Sequence, residues 1–327
     1  MKLLRHAPAL LLVILLCPVI STASDLFHFR NGFWINLHHY LYAQALATSG
    51  SSDASVARDA IQRAACPALN DEQRAAFQPA VDFYATHYAK ENWLFDSEMR
   101  RLNDAMGDAG DAADLPAGLP PDLAQVLQRA APAYRESCWP RQQRANAQWI
   151  ADMQPLLGKY GDRIAQRLSD IYQSPWPHPT VDLVSFANWA GAYTYDEHIT
   201  VTSEHPDYQA HSGLELLFHE SSHAFAPVLF DEFKTAFAAN KATMPRDLDH
   251  VVIFYTAGLV TKQALAKVDP KYELVGDRLG IFRRIPRWSA AEAVLERYWK
   301  PYLEGKSSRD KAVAQVAHAI CCETPAR

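Results

Sequence analysis

The sequence has no run of basic residues, and its 32 lysines and arginines are outnumbered by 37 aspartates and glutamates, which gives a formal net charge of -5 at pH 7. A protein that binds nucleic acid usually presents a positively charged face to the phosphates. Nucleic acid is therefore not expected as a partner. Internal repeats and low-complexity tracts are also missing, and an apolar content of 49% is ample for a hydrophobic core, which excludes a disordered chain.

The apolar run near the N-terminus is too short to span a bilayer comfortably. It extends from Ala9 to Ile20, with Lys2 and Arg5 before it and the small-x-small triplet 21–23 after it. This order predicts a secretory signal peptide over residues 1–23, with an uncleaved anchor as the alternative. Cleavage would remove two positive charges and no acid, so the formal charge would move from -5 to -7. We expect an exported protein, periplasmic or extracellular, with no stable membrane span.

Cysteines are few, and four of the five lie beyond the predicted signal peptide: Cys66, Cys138, Cys321 and Cys322. Without C-x-x-C spacing, a thiolate zinc site is not favoured, whereas an even number in an exported protein fits disulfides. A bond between the adjacent Cys321 and Cys322 would need an awkward eight-membered ring. We therefore expect these two to face Cys66 and Cys138, or one of them to remain free.

Helical patterns dominate the first part of the mature chain. Helices are predicted over 33–47, 53–65, 71–90, 92–106, 123–136, 141–157 and 162–172, with a loop rich in Gly, Asp and Pro over 107–121. Three prolines at alternate positions in 174–179 impose an extended chain, which separates this helical half from the rest. The predicted regions are a helical one over 24–175 and a catalytic one over 176–327, forming one compact unit.

Strand signals follow the prolines closely. Strands are predicted over 181–187, 189–195 and 198–202, and helices over 213–225, 228–240, from 247 onward, 290–303 and 308–319. The expected fold class is α+β, predominantly α-helical, with a small β-sheet that precedes the helix over 213–225.

The most informative motif lies in that helix: the pentad His219-Glu220-Ser221-Ser222-His223 has the pattern H-E-x-x-H. Histidines four apart on a helix are separated by about 40° around its axis, so both imidazoles can reach one metal ion. Glu220 lies on the flank of that face, where its carboxylate could take a proton from a metal-bound water. Apolar residues such as Leu217 and Phe218 occupy the opposite face, ready for burial. Two surface histidines with a chance glutamate are the alternative.

The pentad resembles the signature of the zincin metallopeptidases, without the His-x-x-Gly-x-x-His continuation of the metzincins. The resemblance covers the pentad and its helix. It implies one catalytic Zn²⁺ held by His219, His223 and a third ligand, with Glu220 as the general base. In zincins an edge strand before the metal helix pairs with extended substrate, and the segment 199–203 is the candidate here, with an ordinary strand as the alternative.

The third ligand must come from outside the pentad, because catalytic zinc usually takes three protein ligands and a water. His250 is favoured, since it opens an apolar run predicted as a buried helix that starts near Asp247. Glu232 or Asp231 are alternatives close to the pentad, and Glu273 is another. A glutamate in this role would make the site gluzincin-like.

Other residues are candidates for supporting roles. Glu215 precedes His219 by one turn and could orient its imidazole through a hydrogen bond, or could simply be an exposed helical glutamate. Tyr193 and Tyr195 are favoured for stabilising the transition state, because Tyr255 would point about 140° away from His250 on a regular helix.

His39 belongs to a helix so apolar and aromatic that burial is expected, and a buried histidine needs a partner. A satisfied core histidine is the preferred interpretation, and contact with the substrate is the alternative. Taken together, the sequence predicts an exported zinc-dependent hydrolase, a metallopeptidase in first place, acting on a peptide or small-molecule substrate. The alternatives are a zinc hydrolase for a non-peptide bond, and a non-catalytic secreted binding protein with a structural metal or none.

Overall fold

The computed structural model describes residues 25–323, so the predicted signal peptide lies outside the described residues. Helices make up 65% of the described chain, and a small sheet has four strands, all of which precede the pentad helix. The predicted α+β, predominantly helical fold class is confirmed. Among the described helices, none combines the length and apolarity needed to cross a membrane.

The first half is helical after one short strand. Its elements are β1 (His28–Arg30), α1 (Phe33–Ala47), α2 (Ala54–Ala64), α3 (Asp71–His87), α4 (Ser97–Ala109), α5 (Pro121–Ser137), α6 (Trp139–Leu156) and α7 (Asp162–Tyr172), with a π-helical turn over Leu157–Gly161. The predicted helices agree with these bounds to within five residues at either end. Strand β1 was not predicted, because three residues are too short to show an alternating pattern.

The second half contains the rest of the sheet and the pentad helix. Its elements are β2 (Thr180–Val184), β3 (Ala192–Tyr195), β4 (His198–Thr202), α8 (Ala210–Phe225), α9 (Pro227–Ala239), α10 (Leu248–Leu265), α11 (Val275–Arg278), α12 (Ile281–Arg284), α13 (Pro286–Val294), α14 (Lys300–Leu303) and α15 (Arg309–His318), with π-helical turns over Leu295–Trp299 and Ala319–Glu323. Strand β4 has the predicted bounds.

The strand order in the sheet is β1-β2-β4-β3, with β1, β2 and β4 parallel and β3 antiparallel to β4. The segment 199–203 therefore lies in the sheet interior, and its prediction as an edge strand was wrong. The physical reason is that both backbone edges of β4 are already paired, one with β2 and the other with β3, so neither is left to pair with a substrate. Strands β1 and β3 form the two edges.

The sheet separates two hydrophobic cores. Ala192 belongs to the core that contains α8 and α10, whereas Tyr193 and Tyr195 belong to the core around α1. This division follows from the alternation of side chains along a strand. Helix α8 is buried along nearly its whole length from Gly213 to Ser222, so it is a central helix rather than one with a single buried face.

The cysteines pair differently from the prediction. Cys66 is bonded to Cys138, and Cys321 lies at bonding distance from Cys322, so the expected pairing between these two sets was wrong. Cys66 and Cys138 both belong to the core around α1, whereas Cys321 packs on the other core at the end of the described chain. The fold thus keeps the two pairs apart.

Candidate metal centre

The two pentad histidines project from one side of α8, with ring centroids 5.2 Å apart. The helix is continuous from Ala210 to Phe225, so the four-residue spacing aligns the rings as the pattern predicts. His219 is buried, with 4% of its surface exposed, whereas His223 retains contact with solvent. One ring is therefore fixed in the interior, and the other lies at the surface end of the site.

His250 joins them from the first turn of α10. Its Nε2 lies 3.4 Å from Nε2 of His219, and its ring centroid is 5.1 Å from that of His223. Potential ligand nitrogens of all three residues lie within 4.8 Å of one another. The structure thus brings together the three histidines proposed from the sequence.

The other candidates for third ligand lie elsewhere. Glu232 forms an ion pair with Arg309, with 2.7 Å between Oε2 and Nε, and Asp231 forms one with Lys234. Glu273 does not join the histidines either. In the described part of the chain, His219, His223 and His250 form the one group of three potential ligands close enough to share a metal ion.

The spacing of one pair, His219 and His250, suits a metal of zinc's size. Two nitrogens each about 2.0–2.1 Å from a tetrahedral Zn²⁺ lie about 3.3–3.4 Å from each other, which matches the 3.4 Å between His219 and His250. Burial lowers the pKa of His223 to about 3 and lowers the pKa values of His219 and His250 as well. All three rings are therefore neutral at pH 7 and can offer a lone pair. The same 3.4 Å also permits a hydrogen bond between the two rings.

Aromatic side chains hold the histidines in place. The Phe254 ring lies 4.3 Å from that of His219, and the Trp288 ring lies 5.3 Å from that of His250 in an edge-on arrangement. The indole N–H of Trp288 donates to Oδ2 of Asp247 at 2.5 Å. Phe254 is one helical turn after His250, so helical spacing could have identified it. Trp288 comes from α13, and the sequence carries no signal of its proximity.

Glu220 lies beside this group, 6% exposed. Its Oε2 accepts a hydrogen bond of 2.6 Å from the Thr194 hydroxyl on β3. Burial raises the pKa of Glu220 to about 7, and the bond from Thr194 opposes that increase. A carboxylate with such a pKa can accept a proton near neutral pH and release it again.

Glu215 has neither of the roles suggested by the sequence: it does not orient His219, and with 1% of its surface exposed it is not a solvent-exposed helical glutamate. Its two carboxylate oxygens accept hydrogen bonds from the Tyr272 hydroxyl at 2.7 Å and from the Val275 backbone N–H at 2.9 Å, and no hydrogen bond joins it to a described histidine. Glu215 therefore ties α8 to the segment that leads into α11. The Nδ1 atom of His219 is buried without a partner in the described chain.

The strand tyrosines point away from the three histidines of the metal centre. Thr194 extends from β3 toward Glu220, so its neighbours Tyr193 and Tyr195 extend to the other face of the sheet. There the Tyr193 hydroxyl contacts Nε2 of His39 at 3.2 Å, and the Tyr195 hydroxyl donates to Asp104 at 2.7 Å. Neither tyrosine reaches His219, His223 or His250, and His39 lies with the tyrosines on the far side of the sheet.

His39 itself is fully buried in the core around α1. Burial lowers its pKa to about 4, so the ring is neutral at pH 7. Nδ1 lies 2.9 Å from the Phe186 carbonyl oxygen, and Nε2 lies 3.0 Å from Oδ1 of Asn103 and 3.2 Å from the Tyr193 hydroxyl. These contacts are those of a core histidine with its partners satisfied. Tyr255, on α10, donates to Glu296 at 2.6 Å and does not contact the histidines.

Comparison of the chain with models of protein families, with curated proteins and with solved structures found no match. The functional argument therefore depends on the geometry of this centre.

Proposed function

We propose that this protein is a zinc-dependent hydrolase, exported from the cell, and that its substrates are peptides. One observation carries the proposal: three neutral imidazoles converge with ligand nitrogens within 4.8 Å of one another, and the residue adjacent to His219 is a glutamate whose pKa is raised. His219, His223 and His250 would hold the metal. When bound, Zn²⁺ would lower the pKa of a water molecule and polarise the scissile carbonyl.

Glu220 supplies the proton transfer in this proposal. Its carboxylate takes a proton from the attacking water and delivers it to the leaving amine, which requires a pKa near the working pH. The Thr194 hydroxyl holds one oxygen of the carboxylate, so the other oxygen remains for the water. Burial of Glu220 excludes competing solvent from the base.

A catalytic role is favoured over a structural metal by the number of ligands. Structural zinc sites are usually closed by four protein ligands, whereas catalytic sites keep one position open. The described residues contribute three. His223 and His250 retain solvent contact, so the fourth position can be reached from outside.

The edge strand β3 supports a peptide as the substrate. An edge strand presents unpaired N–H and C=O groups, and an extended peptide can add to it as a further strand. Thr194 belongs to β3 and contacts Glu220, so a peptide paired along this edge would run past the base.

The experiment combines metal analysis with a hydrolysis assay. Purified protein is expected to contain one zinc per chain and to cleave quenched fluorescent peptides. Glu220→Gln should keep the zinc and lose at least about 100-fold in kcat, since general acid–base catalysis contributes 10²–10⁴-fold. Glu72→Gln, an exposed helical glutamate, is the matched control and should change nothing. Full activity of Glu220→Gln would refute its role as the base. Purified protein without zinc would refute the proposed metal centre.

A further inference from the structure

A cavity lies in the half of the molecule built around α1. Its volume is about 460 Å³, within the range of small-molecule sites. Three loops border it: the one after α1, the one after α3 and the one between β2 and β3. Loops held by a rigid core are common places for binding residues. The residues of the metal centre take no part in its lining.

The floor of the cavity is aromatic and one wall is an exposed indole. Tyr42, Leu46 and Trp93 form the floor and are buried, whereas Trp189 stands at the rim with 63% of its surface exposed. A tryptophan buries a large apolar area when it packs, so one left open beside a cavity is unusual. With most of its surface exposed, this indole is available to contact a ligand in the cavity.

Polar side chains surround this aromatic surface. Asn92 and Asn188 each use the side-chain oxygen to accept from a nearby backbone N–H, of Leu94 and Ala190 respectively. Their NH₂ groups therefore remain as donors. Ser49 and Ser51 lie on the same rim.

Charged groups complete the rim with one excess negative charge. Asp53 and Glu91 are acceptors, and Lys90 is the single cation among the lining residues. An anionic ligand would be repelled by this balance. A wholly apolar ligand would cover these polar groups without replacing their hydrogen bonds to water, which is costly.

We propose that this cavity binds a neutral carbohydrate of one or two pyranose rings. A pyranose has an apolar face of C–H bonds, which carry small positive charges and pack on the negative face of an indole. Its ring of hydroxyls both donates and accepts, as the amides and carboxylates of the rim require. Trp189 stacks on the sugar ring, and Asp53 and Glu91 accept from its hydroxyls. The proposal does not depend on the metal centre.

The test uses the full mature chain and defined disaccharides. Cellobiose, maltose, lactose and N,N′-diacetylchitobiose are titrated separately by isothermal calorimetry, and tryptophan fluorescence is recorded in parallel. At least one disaccharide should bind in the millimolar range or tighter and perturb the emission. Trp189→Ala should weaken that binding at least tenfold, while Val268→Ala, at an exposed apolar residue outside the lining, should leave it unchanged.

Circular dichroism verifies that Trp189→Ala is folded, and Glu91→Gln provides a second variant, expected to weaken binding severalfold by removing a charged acceptor. Binding by none of the four sugars overturns the proposal, and so does undiminished binding by Trp189→Ala. Stronger binding of N-acetylphenylalanine amide than of any sugar, lost in Trp189→Ala, would also overturn it by showing a site for aromatic side chains.

Discussion

Thr194 donates a hydrogen bond of 2.6 Å to Glu220, and this contact joins the edge strand β3 to the helix that carries the pentad. It is the one hydrogen bond made by the Glu220 carboxylate within the described chain. Because it favours the charged form of the carboxylate, it opposes the effect of burial on the pKa. Thr194 is therefore a positioning residue for the proposed base.

Replacing Thr194 by valine tests that role. Hydrogen bonds to charged groups contribute about 1.5–3 kcal/mol, so the pKa of Glu220 should rise by about one unit or more. The acidic limb of the kcat/KM profile should move to higher pH, and activity at pH 6 should fall about tenfold. Thr194→Ser, which keeps the hydroxyl, is the control and should retain the original profile. An unmoved limb in Thr194→Val would refute the positioning role.

Replacing His250 by alanine tests the third ligand. Loss of residues that merely support metal ligands costs 10–100-fold in affinity, so loss of a ligand should weaken zinc binding by more than about 100-fold. Competition with a chromogenic chelator measures the change. His318→Ala, at an exposed histidine on α15, is the matched control. Equal zinc affinity in His250→Ala and the parent chain would remove His250 from the centre.

Local sequence patterns predicted the elements whose formation depends on residues close together in the chain. The bounds of α1 and β4 were predicted in full, since clear changes of composition border both segments. By contrast, β1 is stable because Phe29 pairs with Val181, a contact between segments far apart in the chain. Local periodicity carries no information on such a pair.

The same distinction holds at the candidate site. The spacing of His219 and His223 follows from helix geometry, and His250 was predicted from its place at the start of an apolar helix. Thr194 is different, because alternation separates it from Tyr193 and Tyr195 but only tertiary packing decides which face of β3 meets α8. Tyr193 and Tyr195 were favoured as functional residues because the sequence does not show which face of β3 packs against α8.

Glu215 predicts a dependence of stability on pH. Burial raises its pKa to about 7, above the value of 4.5 for a free side chain, so the native state binds more protons than the unfolded state between these values. The free energy of unfolding should therefore fall as the pH rises from about 4.5 to about 7. The whole shift corresponds to about 3 kcal/mol at most.

Glu215→Gln should narrow the difference in unfolding free energy between pH 5 and pH 8 by about 2 kcal/mol. The amide oxygen can accept from Val275 while the NH₂ group donates to the Tyr272 hydroxyl, so the contacts survive. Urea denaturation with a chelator present measures the effect without interference from metal loss. The exposed variant Glu72→Gln should keep the parent's pH dependence, and the same dependence in Glu215→Gln would contradict the prediction.

The bond between Cys66 and Cys138 closes a loop across α3, α4 and α5, with a sequence separation of 72 residues. Restricting a loop of that length in the unfolded chain contributes about 4 kcal/mol in the chain-entropy model. The double variant Cys66→Ala, Cys138→Ala should therefore lower the free energy of unfolding by about 2–4 kcal/mol, measured in urea. Zinc affinity should not change, because Phe254 and Trp288, which contact the histidines, belong to the other core. The bond between Cys321 and Cys322 closes no comparable loop, so the double variant Cys321→Ala, Cys322→Ala should lose much less free energy of unfolding. Equal losses in the two double variants would show that loop closure is not the source of the stabilisation.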